Sequence, residues 1–339
     1  MNKIILLPGY KQEKSLPINY DEIFNKEQII HTHEEFGPVY LCELKEAYVS
    51  PYGVVFKNWK VVKESLYSMF VKNNFHLSFY KKIFLNKVKK IPGTSVVAHH
   101  AFYTNYYHFS SEALPRLYLI RNLAPEVNLI IHEAAPKFVK EYVALFNFKH
   151  IVFIKDNELA LTEKVIFPTF TALGLSQNGE LMKEMALWIK NRINPKFNYL
   201  KNFQNVYISR QKAAYRKLLN ENELISLIED YDFKIVNLED YTVAEQIYLL
   251  SQTKNLIGVQ GAGMTNLLYM PDGGLIINLI HQIHYDLCFY NLTSSLNKDH
   301  DYVLLQSDVL NPNIKSPQNY DLEVDIQKLK YYLDTYLRK

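Results

Sequence analysis

Apolar positions in the first ninety residues fall in short runs broken by polar ones, the pattern of half-buried strands. VYLCELKEAYVS and the pair GVVF and WKVV, turning at Lys57-Asn58, predict antiparallel hairpins. From residue 95 the blocks lengthen. SVVAHH reads as a strand, YYHFSSEALPRLYLIRNL as a helix, VNLIIHE as a buried strand, PKFVKEYVALF as a helix opened by Pro136, and HIVFIK as a strand. LMKEMALWIKNRI is a long helix ending before Pro195. A second alternation runs through NVYISR, ENELISLIEDY, KIVNL, TVAEQIYLLSQ, NLIGVQ, GMTNLLYM and GLIINLI. Leu322, Ile326, Leu329, Leu333 and Tyr336, at steps of four and three, complete an amphipathic C-terminal helix.

Strands alternating with helices imply βαβ units on parallel sheets. The expected class is therefore α/β, with two Rossmann-like domains facing a cleft. The boundary falls near 193–203: residues 1–195 form the first domain (strand-rich to 92, Rossmann-like over 93–195), 196–315 the second, and 316–339 the terminal helix.

Composition narrows the function classes. Of 339 residues, 48% are apolar and 22% charged, which excludes wholesale disorder, and a net charge of +3 gives no nucleic-acid footprint. Cys42 and Cys288 are too few for a disulfide framework or a four-thiolate zinc site. The apolar run Ile4 to Leu7 is too short for a signal sequence, and no stretch approaches a membrane span. The expectation is a cytoplasmic protein with at most peripheral contact at the inner face of the plasma membrane. Only six of the 38 basic residues are Arg, so their positions carry information.

Three stretches carry candidate chemistry. In NLIGVQGAGMTN an apolar strand runs into Gly261-Ala262-Gly263, with Thr265 and Asn266 in the first turn of the next helix. Small residues there admit a ligand to the backbone, and free N–H groups at a helix start favour an anion; a merely tight turn would look similar. In VYISRQKAAYRK a strand ends at Ser209-Arg210, with Lys212 and Arg216 behind it, where Arg can grip a diphosphate; a solvated basic loop is the plainer reading. In NYYHFSSEALPRL, His108, Glu112 and Arg116 are four apart and stack on one helix face, while Pro115 should kink that helix. The plainer reading there is an exposed Glu–Arg pair beside a core-edge His. Asn220 and Glu223 read as a capping box. Asp230-Tyr231-Asp232 and Asp299-His300-Asp301 read as turns, His281 and His284 lack metal-site logic, and KKIFLNKVKK reads as a solvated basic hairpin rather than a membrane contact.

These stretches resemble glycosyltransferase family 61, known from bacterial capsule and lipopolysaccharide loci and from eukaryotic xylosyl- and N-acetylglucosaminyltransferases. The resemblance covers roughly residues 95–305 and rests on NYYHFSSEALPRL, YISRQKAAYR followed by NENELISLIEDYDFKIV, AEQIYLLSQ and IGVQGAGMTNLLYMP, in that order. It implies a GT-B architecture and metal-independent, inverting transfer from a nucleotide sugar, the donor serving as cosubstrate with no further cofactor. The acceptor is then a hydroxyl of a bacterial surface glycan, lipid-linked or free. Glu112 matches the family's acidic position and is expected as catalytic base, with His108 as the fallback. Arg210, Lys212, Arg216, Gln260, Gly261, Ala262, Gly263, Thr265, Asn266 and Asn278 are expected at the donor, and Arg116 and Tyr107 at the acceptor or in the cleft. Gln260 stands where the family commonly has His, and Asn278 where it has an acid. Those departures favour the alternative, a nucleotide- or glycan-binding assembly protein without catalysis. An oxidoreductase is disfavoured because no G-x-G-x-x-G is present.

Overall fold

The apolar runs become strands. The computed structural model describes residues 1–24, 26–29, 33–67, 75–172, 176–193, 197–283, 286–308, 316 and 319–338. Its strands are β1 (Asn2–Leu7), β2 (Tyr10–Glu13), β3 (His33–Phe36), β4 (Val39–Val49), β5 (Val55–Lys57), β6 (Lys60–Val61), β7 (Val88–Val96), β8 (Asn128–His132), β9 (His150–Ile154), β10 (Leu159–Pro168), β11 (Asn205–Ile208), β12 (Lys234–Val236), β13 (Asn255–Val259), β14 (Leu275–His281) and β15 (Asp301–Ser307). The helices are α1 (Phe75–Phe84), α2 (Tyr106–His108), α3 (Leu114–Leu119), α4 (Lys137–Ala144), α5 (Gly179–Lys190), α6 (Glu221–Glu229), α7 (Val243–Leu250), α8 (Cys288–Leu296) and α9 (Ile326–Leu337). None is long and apolar enough to cross a membrane.

The chain divides into two compact units, residues 1–11 with 35–178 and residues 12–34 with 179–339. Helix α5 thus belongs to the second unit, and the division falls at Asn178-Gly179 rather than in the 193–203 segment expected from sequence. Pro195, and with it the expected boundary at 195–196, lies outside the described residues.

The first unit is built on one mixed sheet in the order β6-β5-β4-β10-β7-β8-β9, with β1 also on β4. Strands β10, β7, β8 and β9 run parallel, and β4 meets both β10 and β1 antiparallel. After β7 the chain adds β8 and β9 on one side and then returns to lay β10 on the other. The strand order therefore reverses between β7 and β10, the place where open α/β sheets leave a crevice beyond their carboxyl ends. The second unit is fully parallel, β12-β11-β13-β14-β15, and reverses between β11 and β13. Its strands β13 and β14 are buried at every residue, as expected of a sheet covered on both faces. Helices α6 and α9 close one face through Leu224, Ile228, Leu329 and Leu333.

Several local expectations are corrected. The β5–β6 turn sits at Asn58-Trp59, both with positive φ (48° and 64°), one residue later than expected, because Lys57 pairs with Lys60. Most of KKIFLNKVKK is not a hairpin: it is the end of α1 and the turn into β7, with Phe79 buried against Phe56. A π-helical turn, Phe109–Ala113, immediately precedes Pro115, which sits in the first turn of α3, so the missing N–H falls where the helical register already changes. The side chain of Asn220 caps no helix but exchanges hydrogen bonds with the backbone of Val324. The capping box belongs instead to Thr242 and Glu245 on α7. Strands β10 and β15 and helix α8 went unread in the sequence.

Candidate functional site

The sharpest geometry of the second unit lies at its β11–β13 reversal. Arg210 follows β11, and its guanidinium donates to the carbonyls of Tyr215 (2.9 Å) and Arg216 (3.3 Å), curling residues 210–216 into a loop. Arg216, held at φ 57°, donates from Nη1 to the carbonyl of Gln260 (2.7 Å), while its buried Nε has no hydrogen-bond partner among the described residues. Both guanidinium groups are thus held by backbone carbonyls rather than by carboxylates. Burial lowers both pKa values, Arg210 to about 10 with help from the Arg216 charge. Beyond β13, Gly261 opens a 3-10 helix, Ala262–Tyr269. A Cβ at Gly261 would lie 2.2 Å from Nη1 of Arg210, so the glycine makes room for the guanidinium. Two largely buried cations beside a helix start are an arrangement that can receive an anion.

Other sequence candidates here are engaged internally. Gln260 and Asn278, both buried, hold each other: Asn278 Nδ2 donates to Gln260 Oε1 (2.6 Å) and to the Tyr302 hydroxyl (2.8 Å), and Gln260 Nε2 donates to the carbonyl of Asp286 (2.5 Å). Thr265 donates to the carbonyl of Ala262, and buried Asn266 donates to Gln246 Oε1. Exposed Lys212 is paired with both oxygens of Asp240 (2.5 and 2.6 Å). Of the expected donor set, the structure therefore brings together Arg210, Arg216 and the backbone of Gly261, Ala262 and Gly263. His281 ends β14 buried against the Tyr320 ring, and His284 lies outside the described residues.

In the first unit, Asn105 caps α2 by accepting from the N–H groups of Tyr107 and His108, which places the π turn and sends Glu112 inward. Glu112 is 1% exposed. Its Oε1 accepts from the Tyr67 hydroxyl (2.8 Å) and its Oε2 is bonded to His108 Nδ1 (3.0 Å). His100 Nε2 lies 3.0 Å from the same Oε2, off the line of a hydrogen bond. The His100 Nδ1 accepts from the Phe102 N–H, which leaves the ring proton on the nitrogen facing Glu112. Burial works to raise the Glu112 carboxyl, but the two imidazoles outweigh it and hold the pKa below its ordinary 4.5. The Tyr67 hydroxyl is pushed up by burial and by the Glu112 charge. His108 differs from its neighbours: 23% of its side chain is exposed, its ring stacks on Phe102, and no partner among the described residues holds its Nε2.

Arg116 does not extend this stripe. At 1% exposure it donates twice to the carbonyl of Pro168 (3.0 and 2.7 Å) and once to that of Ala98 (2.6 Å), with its guanidinium 4.2 Å from the Phe170 ring centroid. Those carbonyls end β10 and follow β7, so Arg116 fills the crevice at the strand reversal and cannot meet an acceptor. The π turn carries the chain out of the four-residue register beyond Glu112. Tyr107 is likewise buried, its hydroxyl accepting from Gln177 Nε2. His100 and Tyr67 were missed as partners of Glu112. The doublet at the end of SVVAHH marked a strand's carboxyl end; Tyr67, 45 positions from Glu112, left no local signal.

A second His–acid pair shows what is particular about the first. His132 ends β8 and meets Asp156 at 2.9 Å, with Tyr52 also donating to that carboxylate (2.6 Å). Here the imidazole is buried and the acid exposed, the opposite of His108 and Glu112. Among the described residues no group of three or more His, Cys, Asp or Glu is placed to hold a metal ion.

Comparison with known proteins identifies relatives of this sequence. The sequence model of the family Glycosyltransferase 61 matches residues 106–277. The chain is 31% identical over 135 residues to the EGF domain-specific O-linked N-acetylglucosamine transferase of Drosophila melanogaster, covering 38% of this chain and 26% of that protein. The Bos taurus protein of the same name is 30% identical over 113 residues, covering 30% and 21%. Protein O-linked-mannose beta-1,4-N-acetylglucosaminyltransferase 2 of Homo sapiens is 25% identical over 105 residues, covering 30% and 18%. The chain thus spans about a quarter or less of the length of these relatives.

Proposed function

The chain belongs to glycosyltransferase family 61, and from that premise we propose that it moves a sugar from a nucleotide-sugar donor to an acceptor hydroxyl with inversion. This reading takes the two units as the acceptor-side and donor-side halves of a GT-B enzyme. The observation that supports it is the corner formed by Arg210, Arg216 and the Gly261 turn, two largely buried cations whose hydrogen bonds run to backbone carbonyls where the second sheet reverses. The donor diphosphate lies against those guanidinium groups and the N–H groups that open the Ala262–Tyr269 helix. As the bond from the anomeric carbon to the diphosphate breaks, the departing charge is stabilised there by fixed cations rather than by a metal ion.

Inversion needs a base for the attacking hydroxyl. Exposure supports His108 in that role: the acceptor oxygen bonds to the anomeric carbon and its proton passes to Nε2 of His108, while buried Glu112 holds Nδ1 and balances the imidazolium. On this reading Glu112 is a positioning residue and His108, the fallback expected from sequence, is the base. The narrower acceptor, a bacterial capsular or lipopolysaccharide glycan reached from the cytoplasm, rests on the sequence resemblance alone. The animal relatives are named for EGF domains and O-linked mannose.

The test follows release of nucleoside diphosphate from a panel of nucleotide sugars, with bacterial glycans and O-mannosyl and EGF-domain acceptors. At least one pair should turn over, and His108→Ala should lower kcat by about 100-fold or more while leaving donor Kd unchanged. Binding of donors without turnover for any acceptor would favour the assembly-protein reading, to which the neutral Gln260–Asn278 pair lends support.

A further inference from the structure

Helix α1 is apolar on two faces. Phe79 and Ile83 pack inward with Val54, Phe56 and Leu159. Leu77, Tyr80 and Phe84, at i, i+3 and i+7, share the other face and point to solvent; Leu77 is 70% and Phe84 90% exposed. The β5–β6 turn extends this surface. Trp59, 58% exposed, stacks on Tyr80 with ring centroids 5.9 Å apart, and the Tyr80 hydroxyl donates to the Trp59 carbonyl (3.0 Å). Large side chains gathered this way on the outside of a folded unit mark an interaction surface.

Charge identifies the partner. Segments 55–63 and 75–90 together contain eight lysines and no Asp or Glu. Lys57 is tied to the carbonyls of Lys45 and Glu46 and Lys89 to that of Phe153, while two nearby acids are occupied elsewhere: Glu64 by Lys3 at 2.5 Å, and Asp156 by Tyr52 and His132. A protein partner or a second copy would have to neutralise this cationic rim with a matched acidic ring, whereas an anionic bilayer offers negative charge and an apolar layer in one surface. We propose that the outer face of α1 and the β5–β6 turn dock this protein onto an anionic membrane, with Phe84, Leu77 and Trp59 entering the headgroup region and the lysines on the phosphates. Such docking would hold the enzyme where a lipid-carried acceptor is displayed, but it does not depend on the assignment of the transfer reaction.

The chain has two tryptophans, Trp59 and Trp188, so Trp188→Phe leaves Trp59 as a reporter. With vesicles of phosphatidylcholine containing about 30% phosphatidylglycerol, emission should shift to the blue and be quenched by brominated acyl chains; pure phosphatidylcholine should do neither. At about fivefold per lysine, Lys81→Gln with Lys87→Gln should weaken partition about 30-fold. Leu77→Ser with Phe84→Ser should remove the quenching without lowering the thermal midpoint, since both side chains are exposed. Equal binding to neutral vesicles, quenching that survives either double variant, or a dimer that the Leu77/Phe84 variant dissolves would overturn the proposal. Each readout is independent of sugar transfer.

Discussion

Replacing Gly261 with Ala tests the anion corner with one carbon atom. Gly261 has φ −172°, an extended conformation open to alanine, so the backbone is not strained. The added Cβ would sit 2.2 Å from Nη1 and 3.1 Å from Cζ of Arg210, against a normal contact of about 3.5 Å. The guanidinium must therefore retreat by roughly 1.3 Å, and the end of a flexible side chain can do so. Retreat strains the bonds to Tyr215 and Arg216, on a surface loop, so unfolding free energy should fall by only about 1 kcal/mol. Donor binding loses a charge-assisted contact of about 2 kcal/mol, close to 30-fold in Kd. Calorimetric titration with the nucleoside diphosphate of the preferred donor, beside urea unfolding, measures both. Arg210→Ala should weaken binding at least as much, and Gly261→Ala should add nothing on top of it. Undiminished affinity in Gly261→Ala, or full additivity of the two changes, would refute the placement of the diphosphate against Arg210.

The remaining predictions concern groups that the fold encloses. Arg116→Lys keeps the charge but leaves at least one of three buried contacts to Ala98 and Pro168 unmade; a loss of about 3 kcal/mol, roughly 6–12 °C in thermal midpoint, is expected by scanning calorimetry. Burial pushes the His99 imidazole down to about 4, so below its ordinary 6.5 the unfolded chain binds a proton that the folded chain refuses. Stability should fall as pH drops from 6.5 towards 4, by up to about 3 kcal/mol, with buried His100 adding in the same direction. His99→Gln can still donate to the Pro51 carbonyl and should flatten that slope in urea midpoints compared at several pH values; an unchanged slope would clear His99 of the effect. Asn278→Asp sets a carboxylate against Gln260 Oε1 at 2.6 Å and should cost about 2 kcal/mol, partly recovered by adding Gln260→His, whose ring can donate; additivity in that double-mutant cycle would deny the coupling.

Much of this protein was legible before any coordinates. Every residue of β8, β13 and β14 is buried, so their short, largely apolar runs announced a parallel sheet, and the steps of four and three in α9 announced its packed face. The glycine turn and the two arginines were visible as separate stretches because each lies at the end of an apolar strand, one followed by small residues and the other by cations. What local pattern could not supply was partnership. Strand β10, with polar Thr162, Glu163 and Lys164 at its middle, is central only because β4 and β7 flank it. Spacing made Arg116 look like a neighbour of Glu112, yet the strand reversal turns it into the plug between β7 and β10. Gln260 and Asn278 read as two separate departures and prove to be one hydrogen-bonded pair.

The sequence by itself determined the class of fold, the two strand-and-helix alternations and the stretches that carry the chemistry, because burial periodicity and turn chemistry are local properties of the chain. Tertiary structure alone decided which of those groups meet solvent. Glu112 and His108 sit four residues apart on one stretch, and only the packing of Tyr67 and His100 around the carboxylate leaves the imidazole as the outward member. A proton acceptor must be reached by the group it serves, and access is set by segments far apart in sequence that fold around it.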